Sequence, residues 1–236
     1  MIDIVLVEPQ INENIGFVVR SMNVFGCNKL VIINPPGDYQ EKARITASRS
    51  ASILDFSKVF SSFDEVVSSY DVLVATSRRP GGLREPIYTP EQTAEFIRSL
   101  PIEYSVGLVF GRENTGLYTE EIEQCRIVSS IPSYNDTVSL NISHAVSIYL
   151  YELHQFFHTE RDKKTNPSDA ATDKELISLA HHIFTLLETT HFIKYGDKFL
   201  KQTLLHLLKK PVLEKKDVKL LEAICYHVDK LIEPLK

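Results

Sequence analysis

Three short segments carry residues able to do chemistry. Gly111-Arg112-Glu113-Asn114-Thr115-Gly116 follows an apolar run. Val138-Ser139-Leu140-Asn141-Ile142-Ser143 leads into another, and Asn12-Glu13-Asn14-Ile15-Gly16 with Arg20 lies near the N-terminus. Each sets glycines, small hydroxyls or amides where a strand gives way to a loop, the place at which open α/β sheets bind ligands. Together they point to a small-molecule cofactor, a polar substrate and catalysis rather than a passive scaffold.

The elements that must position these segments alternate along the chain. Residues 2–7, 29–33, 71–75, 105–110 and 126–131 are apolar runs of strand length, with a short strand expected at 57–60. Between them, helical spacing is expected from Ile15 to Phe25, over 41–54, from Phe63 to Ser69 with Ser62 as cap, from Pro90 to Leu100, in a short acidic helix capped by Thr119, and from Leu140 to Phe157. Gly26 suits the end of the first helix. This alternation predicts an α/β fold with a mostly parallel sheet covered on both faces. Residues 159–171 read as a polar linker, and 172–236 as a small all-helical domain with helices over 176–190, 197–209 and 217–231.

The 236 residues suffice for one medium domain and a small second one. A net charge of -5 argues against a globally basic nucleic-acid binder, so RNA contact would come from local patches. Arg78, Arg79 and Arg84 around a glycine-rich loop are one candidate for backbone contact, and Lys209, Lys210, Lys215 and Lys216 another. In both places a solvated basic turn is an equal reading. No apolar run reaches membrane-spanning length, and Met1-Ile2-Asp3-Ile4-Val5 reads as a first strand rather than a secretory leader. Cys27, Cys125 and Cys225 contain no metal-type pair and are expected to be reduced, in a cytoplasmic protein. His154 and His158, four apart on a helix, lack a third ligand, so no metal is expected.

Several motif residues have two readings. Asn14 is equally a helix N-cap, Arg20 a solvated helix residue, Glu113 a plain loop acid, and Ser139 with Asn141 helix caps. The glycine-rich segment lacks the Gly-Lys-Ser/Thr ending of a phosphate loop.

In order and spacing, Asn14 with Arg20, Gly111-Arg112-Glu113 with Gly116-Leu117, and Ile131-Pro132 with Ser139-Leu140-Asn141 resemble the three motifs of SpoU-type RNA 2′-O-ribose methyltransferases of the SPOUT superfamily. Leu6-Val7-Glu8-Pro9, Asn34-Pro35 and Ala75-Thr76-Ser77 are most similar to the TrmJ-like subgroup, which methylates the tRNA anticodon loop at nucleotide 32. The resemblance spans about residues 1–157 and implies a SPOUT fold with a C-terminal trefoil knot over 1–158. It implies S-adenosyl-L-methionine as cofactor and RNA, in that subgroup tRNA, as substrate. It further implies a homodimer with no membrane and no metal. The implied catalytic set is Arg20, Ser139, Asn14, Glu113 and Asn141. The implied cofactor pocket is Thr76, Ser77, Arg78, Gly111, Ile131, Val138, Ser139 and Leu140. One departure concerns base choice: Asp136-Thr137-Val138 precede Ser139, and the nearby aromatic is Tyr134. The rival expectations are a ribosomal RNA methyltransferase of the same fold, a non-catalytic RNA-binding module and a nucleotide hydrolase.

Overall fold

The computed structural model describes residues 2–78, 87–134, 138–158, 173–190, 198–209 and six positions between 220 and 230. They fall into two compact units, Met1–Lys174 and Glu175–Lys236.

The first unit is built on seven parallel strands in the order β3-β2-β1-β6-β4-β7-β5. These are β1 (Ile2–Val7), β2 (Leu30–Ile33), β3 (Lys58–Phe60), β4 (Val72–Thr76), β5 (Ile87–Tyr88), β6 (Val106–Phe110) and β7 (Ile127–Ser129). Register pairs Ile4 with Leu30 on one side and Leu108 on the other; Val74 pairs with Leu108 and Ile127. Because a strand alternates its faces, each apolar run feeds two cores. Ile4, Leu6, Ile32, Val74 and Leu108 pack under α1 (Asn12–Val24), α2 (Tyr39–Ala47), α5 (Pro90–Ser99) and α7 (Ile142–His158). Val5, Val7, Ile33, Leu73 and Val109 pack against residues around α4 (Phe63–Val67) and α6 (Thr119–Glu123). The α/β parallel-sheet expectation therefore holds, and β5 is a two-residue edge strand too short to be seen as a run.

Element ends follow local chemistry. Gly26 at φ +72° closes α1, with Cys27 N–H donating to Met22 O and Gly26 N–H to Asn23 O, the paired bonds of a Schellman end. The helix expected over 41–54 is interrupted at Ser48 (φ +52°): α2 is followed by a short 3-10 turn (Ser48–Ser50) and then α3 (Ser52–Asp55). Ser62 does cap α4 by accepting from Glu65 N–H. α5 starts at Pro90 under a full Thr89/Gln92 capping box. α6 has Tyr118, not Thr119, at its cap position, where the Glu121 carboxylate accepts the Tyr118 N–H at 2.7 Å. Cys27 and Cys125 are free thiols.

α8 (Asp173–Thr189), all but its first two residues in the second unit, and α9 (Lys198–Lys209) contribute Phe184, Leu187 and Leu204 to a small apolar cluster. The expected linker at 159–171, most of the helix expected over 217–231, and Arg79, Arg84, Lys210, Lys215, Lys216 and Cys225 lie outside the described residues.

Candidate active site

The C-terminal ends of β1, β4, β6 and β7 open onto one cavity of about 460 Å³, within the size range of small-molecule sites. Each strand exit supplies one wall. After β4 come Thr76, Ser77 and Arg78; after β6 comes the run from Gly111 to Leu117; after β7 come Ile131 and Ser133, then Val138 to Ile142. Ile11 and Asn14 enter from the start of α1. Every cofactor-pocket residue expected from the motifs lines this cavity, as do Asn14, Glu113, Ser139 and Asn141. Arg20 does not. It is exposed on α1, six residues beyond Asn14 and so about 9 Å along the axis and a third of a turn round.

The three motif segments are joined by one hydrogen-bond relay. Glu113 accepts from the backbone N–H of Gln10 (2.8 Å) and Ile11 (3.2 Å), and from Asn14 Nδ2 at 3.0 Å. Asn14 Oδ1 in turn accepts from Asn141 Nδ2 at 2.9 Å. Asn141 Oδ1 accepts from the backbone N–H and the hydroxyl of Ser143, at 2.9 and 2.8 Å. Asn14 is 4% exposed, which makes its full satisfaction energetically necessary.

This geometry revises two local expectations. Asn14 is not a helix cap, because α1 begins at Asn12 with Ile11 at the cap position and no side-chain cap bond of its own. The Glu113 carboxylate, a hundred residues away, serves the orphaned N–H groups there and suits the positive end of the helix. Asn141 does cap α7, which starts at Ile142 rather than Leu140. Ser139 lies outside that helix and is exposed, and its hydroxyl has no hydrogen-bond partner among the described residues.

Arg112, part of the Gly111-Arg112-Glu113 motif but without a role assigned from sequence, holds the β6 loop in shape. It is 7% exposed. Nε donates to Glu8 at 2.7 Å, both Nη atoms donate to Glu121 at 3.0 Å, and the Tyr118 ring lies 3.9 Å from its Cζ. The fork of donors matches a carboxylate pair, which argues for structure rather than ligand binding. Hydrogen bonding to Arg112 holds the Glu8 carboxyl below its ordinary 4.5, although burial opposes this. The capping position of Glu121, three residues after Tyr118, is the signal that could have located the pair. Gly111 closes the same loop: a Cβ there would sit 2.2 Å from the Gly116 carbonyl carbon. Gly116 itself has φ +71°, with open space where a Cβ would stand.

The floor is aromatic, and it too escaped notice in the sequence. Tyr149 and Phe110 meet edge to face at 5.7 Å, and the Tyr149 hydroxyl donates to Ser129 Oγ at 2.8 Å. Burial pushes the Tyr149 phenol well above its ordinary range, so it stays neutral. The i, i+7 step from Ile142 to Tyr149 on α7 is the pattern that places it inward.

The sequence model of the SpoU rRNA Methylase family matches residues 1–151. This chain belongs to that family. As such it is an RNA methyltransferase of the SpoU type. The chain is 35% identical over 181 residues to the tRNA (cytidine-2'-O-)-methyltransferase TrmJ of Methanocaldococcus jannaschii, covering 75% of this chain and 78% of that one. It is 28% identical to the tRNA (cytidine/uridine/adenosine-2'-O-)-methyltransferase TrmJ of Pseudomonas aeruginosa, over 99% of this chain and 96% of that one. Among solved structures, TrmJ from Z. mobilis aligns with a TM-score of 0.71 and 28% identity, over 97% of this chain and 99% of that one. The SpoU methyltransferase AviRb from Streptomyces viridochromogenes, solved in complex with the cofactor AdoMet, shares the fold at a TM-score of 0.51 and 20% identity, over 65% and 59% of the two chains. Among the described residues no helix is long and apolar enough to cross a membrane, and no group of three or more metal-ligating side chains occurs.

Proposed function

We propose that this SpoU-family chain methylates a ribose 2′-hydroxyl of tRNA in the anticodon loop, at nucleotide 32, with S-adenosylmethionine as donor. The observation that carries this reading is the convergence of three separate motifs on one cavity, tied by the Glu113–Asn14–Asn141 relay. The tRNA 2′-O-methyltransferase names of the TrmJ relatives support the substrate, and the AviRb complex supports the donor.

The cavity fits such a donor. It has room for a nucleoside-sized molecule, an apolar floor and walls of loop backbone, and the space left open at Gly116 lets a ligand approach the chain closely. Thr76 to Arg78, Gly111, Ile131 and Val138 to Leu140 would hold it. The bound sulfonium supplies an already activated methyl group. The remaining difficulty is the ribose hydroxyl, which is barely acidic at neutral pH and has to be oriented in line with the methyl.

Asn14, Glu113 and Asn141 already use their polar atoms on one another, so in this reading they are positioning residues. Ser139, with its open hydroxyl at the cavity wall, contacts the ribose. Arg20 stabilises the developing alkoxide and holds the neighbouring phosphate. It does so as a fixed cation, because guanidinium does not give up its proton in proteins. A phosphate oxygen or water takes the hydroxyl proton. Since Arg20 does not line the cavity of its own chain, it acts from a second copy across a homodimer.

The same reading assigns residues 1–158 to a knotted methyltransferase domain, 159–171 to a linker and 172–236 to a helical domain, in a cytoplasmic enzyme. In support of the knot, β4 lies between β6 and β7, so the chain leaving β6 returns on the far side of β4.

The test is incubation with total tRNA, and separately with ribosomal RNA, plus labelled S-adenosylmethionine, with modified riboses mapped by mass spectrometry. Label at nucleotide 32 of tRNA is the expected result. Transfer to ribosomal RNA alone, or donor binding with no transfer, overturns the assignment.

A further inference from the structure

Of the four polar side chains in the loop 111–117, two hold it in shape. The Arg112 guanidinium is committed to Glu8 and Glu121. The Glu113 carboxylate turns to the start of α1, where Gln10, Ile11 and Asn14 donate to it. The loop is also closed across its base: Gly116 N–H donates to Arg112 O at 2.9 Å, and Arg112 N–H to Gly116 O at 3.3 Å. Between these ties stand Asn114 and Thr115. Both line the cavity and both are exposed. Among the described residues neither side chain has a hydrogen-bond partner, and nor do the backbone N–H groups of Glu113, Asn114 and Thr115.

The frame therefore stands without the side chains of Asn114 and Thr115, and it presents them. Five hydrogen-bond donors belong to three consecutive residues: three backbone N–H groups, the Asn114 amide and the Thr115 hydroxyl. The one carboxylate of the loop is turned to α1 and met by three donors. A Cβ at Gly116 would meet nothing within 4 Å, so a ligand can come close to the backbone there.

An RNA strand carries the acceptors that such donors lack. Each ribose is flanked by two phosphates, and the 3′ ester oxygen sits on the carbon next to the one bearing the 2′-hydroxyl. A hydroxyl presented to the cavity thus brings phosphate oxygens to its mouth. Backbone N–H groups and Asn and Thr side chains are regular phosphate partners, and such contacts fix the register of a strand without reading its sequence. Cations are scarce here. Arg78 and Arg112 are those that line the cavity, and two carboxylates neutralise Arg112.

We propose that Asn114 and Thr115 grip a phosphate flanking the ribose being methylated, and so set which nucleotide enters the cavity. This rests on the methyl-transfer reading above and adds a strand-positioning element to it. Arg20 and the loop tip do not compete, because the target ribose has a phosphate on each side. The carboxylate of the donor has similar chemistry, and the experiment separates the two.

The experiment uses the full chain with S-adenosylhomocysteine and anticodon stem-loops in which one phosphate at a time is a methylphosphonate, lacking the charge and one acceptor oxygen. Wild type should lose affinity about tenfold at one linkage. The double variant Asn114→Ala/Thr115→Val should bind the unmodified stem-loop about tenfold more weakly and lose nothing further at that linkage. Its salt dependence should match that of wild type, because no cation has been removed. Its affinity for S-adenosylhomocysteine, by calorimetry, should be unchanged. Thr115→Ser, which keeps the hydroxyl, should keep the sensitive linkage. The absence of a sensitive linkage in wild type overturns the proposal, as does a linkage equally sensitive in the double variant. A fall in S-adenosylhomocysteine affinity with RNA binding intact also overturns it, and gives the tip to the donor carboxylate. So does a double variant that fails to fold, because the two side chains would then belong to the frame. The two readings fail separately: a wild-type protein with the sensitive linkage that never methylates the stem-loop contradicts the reaction, not the grip.

Discussion

Asn141 Nδ2 donates to Asn14 Oδ1 at 2.9 Å, joining the start of α7 to the start of α1 across 127 positions of the chain. Both polar atoms of each amide are engaged: Asn14 also donates to Glu113, and Asn141 also accepts from Ser143. Asn14 is buried and Asn141 exposed, so removing Asn141 takes a partner from a buried amide, at a cost of about 1–3 kcal/mol, whereas removing Asn14 returns Asn141 to solvent at a smaller one. Asn14→Ala and Asn141→Ala should each lower the urea midpoint and slow transfer. The double variant should be less damaged than the sum, with a coupling of about 1 kcal/mol or more. Additive effects would show that the bond contributes nothing beyond its two ends.

Gly111→Ala should act on the donor site rather than on the sheet. Its Cβ would meet Gly116 and Leu117 backbone at 2.2 and 2.3 Å, and backbone cannot rotate away. The loop from 111 to 117 must open, and seven of its positions line the cavity. Calorimetry should show donor affinity falling at least about tenfold, the effect of losing roughly 1.4 kcal/mol of fit. Affinity unchanged within twofold would mean that the loop can shift without cost.

Gly16→Ala probes packing instead. At the crossing of α1 and α2 the added carbon would lie 2.0 Å from Thr46 Oγ1 and 2.2 Å from Ala43 O. The hydroxyl can turn aside; the carbonyl cannot. Overpacking of this kind costs about 1–3 kcal/mol. The unfolding midpoint should drop while the folded protein keeps its donor affinity, since no residue of this contact lines the cavity.

These two glycines show what was legible in the chain and what was not. Gly111 was readable as a loop glycine because a strand precedes it and Gly116 follows. Gly16 was not, because it lies mid-helix and its reason is another helix. The strands were readable since both faces are buried and each reads as an unbroken apolar run. The site residues were readable as motifs, but their roles were not. Asn14 reads as a cap only if α1 starts three residues later than it does; the N–H groups of Gln10 and Ile11 just ahead of the helix are served by a carboxylate from position 113. The role of Arg112 and the place of Phe110 and Tyr149 in the site are not legible in the sequence, because they depend on packing against distant partners.

Acid should loosen the β6 loop. Glu8 is held below its ordinary 4.5 mainly by its hydrogen bond to Arg112. A depressed carboxyl contributes stability that is fully present above its unfolded value and is lost as pH falls through the folded one. Solvent screening reduces that gain, since the Glu8 side chain is 41% accessible. Wild type and Glu8→Gln should therefore differ in thermal midpoint at pH 7, and the difference should shrink below about pH 4.5 and vanish at lower pH. A difference that persists unchanged at pH 2–3 would assign it to packing rather than charge.

Arg20 gives the sharpest separation of mechanisms. In a single chain it is exposed and off the cavity wall, as a residue that serves a second copy would be. Arg20→Ala alone should abolish transfer while leaving donor affinity within severalfold, but that does not say where the side chain acts. Mixing does. Arg20→Ala has a sound cavity and no guanidinium; Gly111→Ala has the guanidinium and a damaged cavity. In the proposed homodimer, random exchange of subunits would make half of the dimers hybrid, and each hybrid would hold one complete site only if Arg20 reaches across the interface. With donor held well below its dissociation constant, the mixture should then recover roughly a quarter of wild-type turnover, from preparations at near zero for Arg20→Ala and about a tenth or less for Gly111→Ala. If Arg20 works on its own chain, no hybrid site is complete and mixing recovers nothing. Near-normal turnover by Arg20→Ala itself would remove the residue from the reaction altogether.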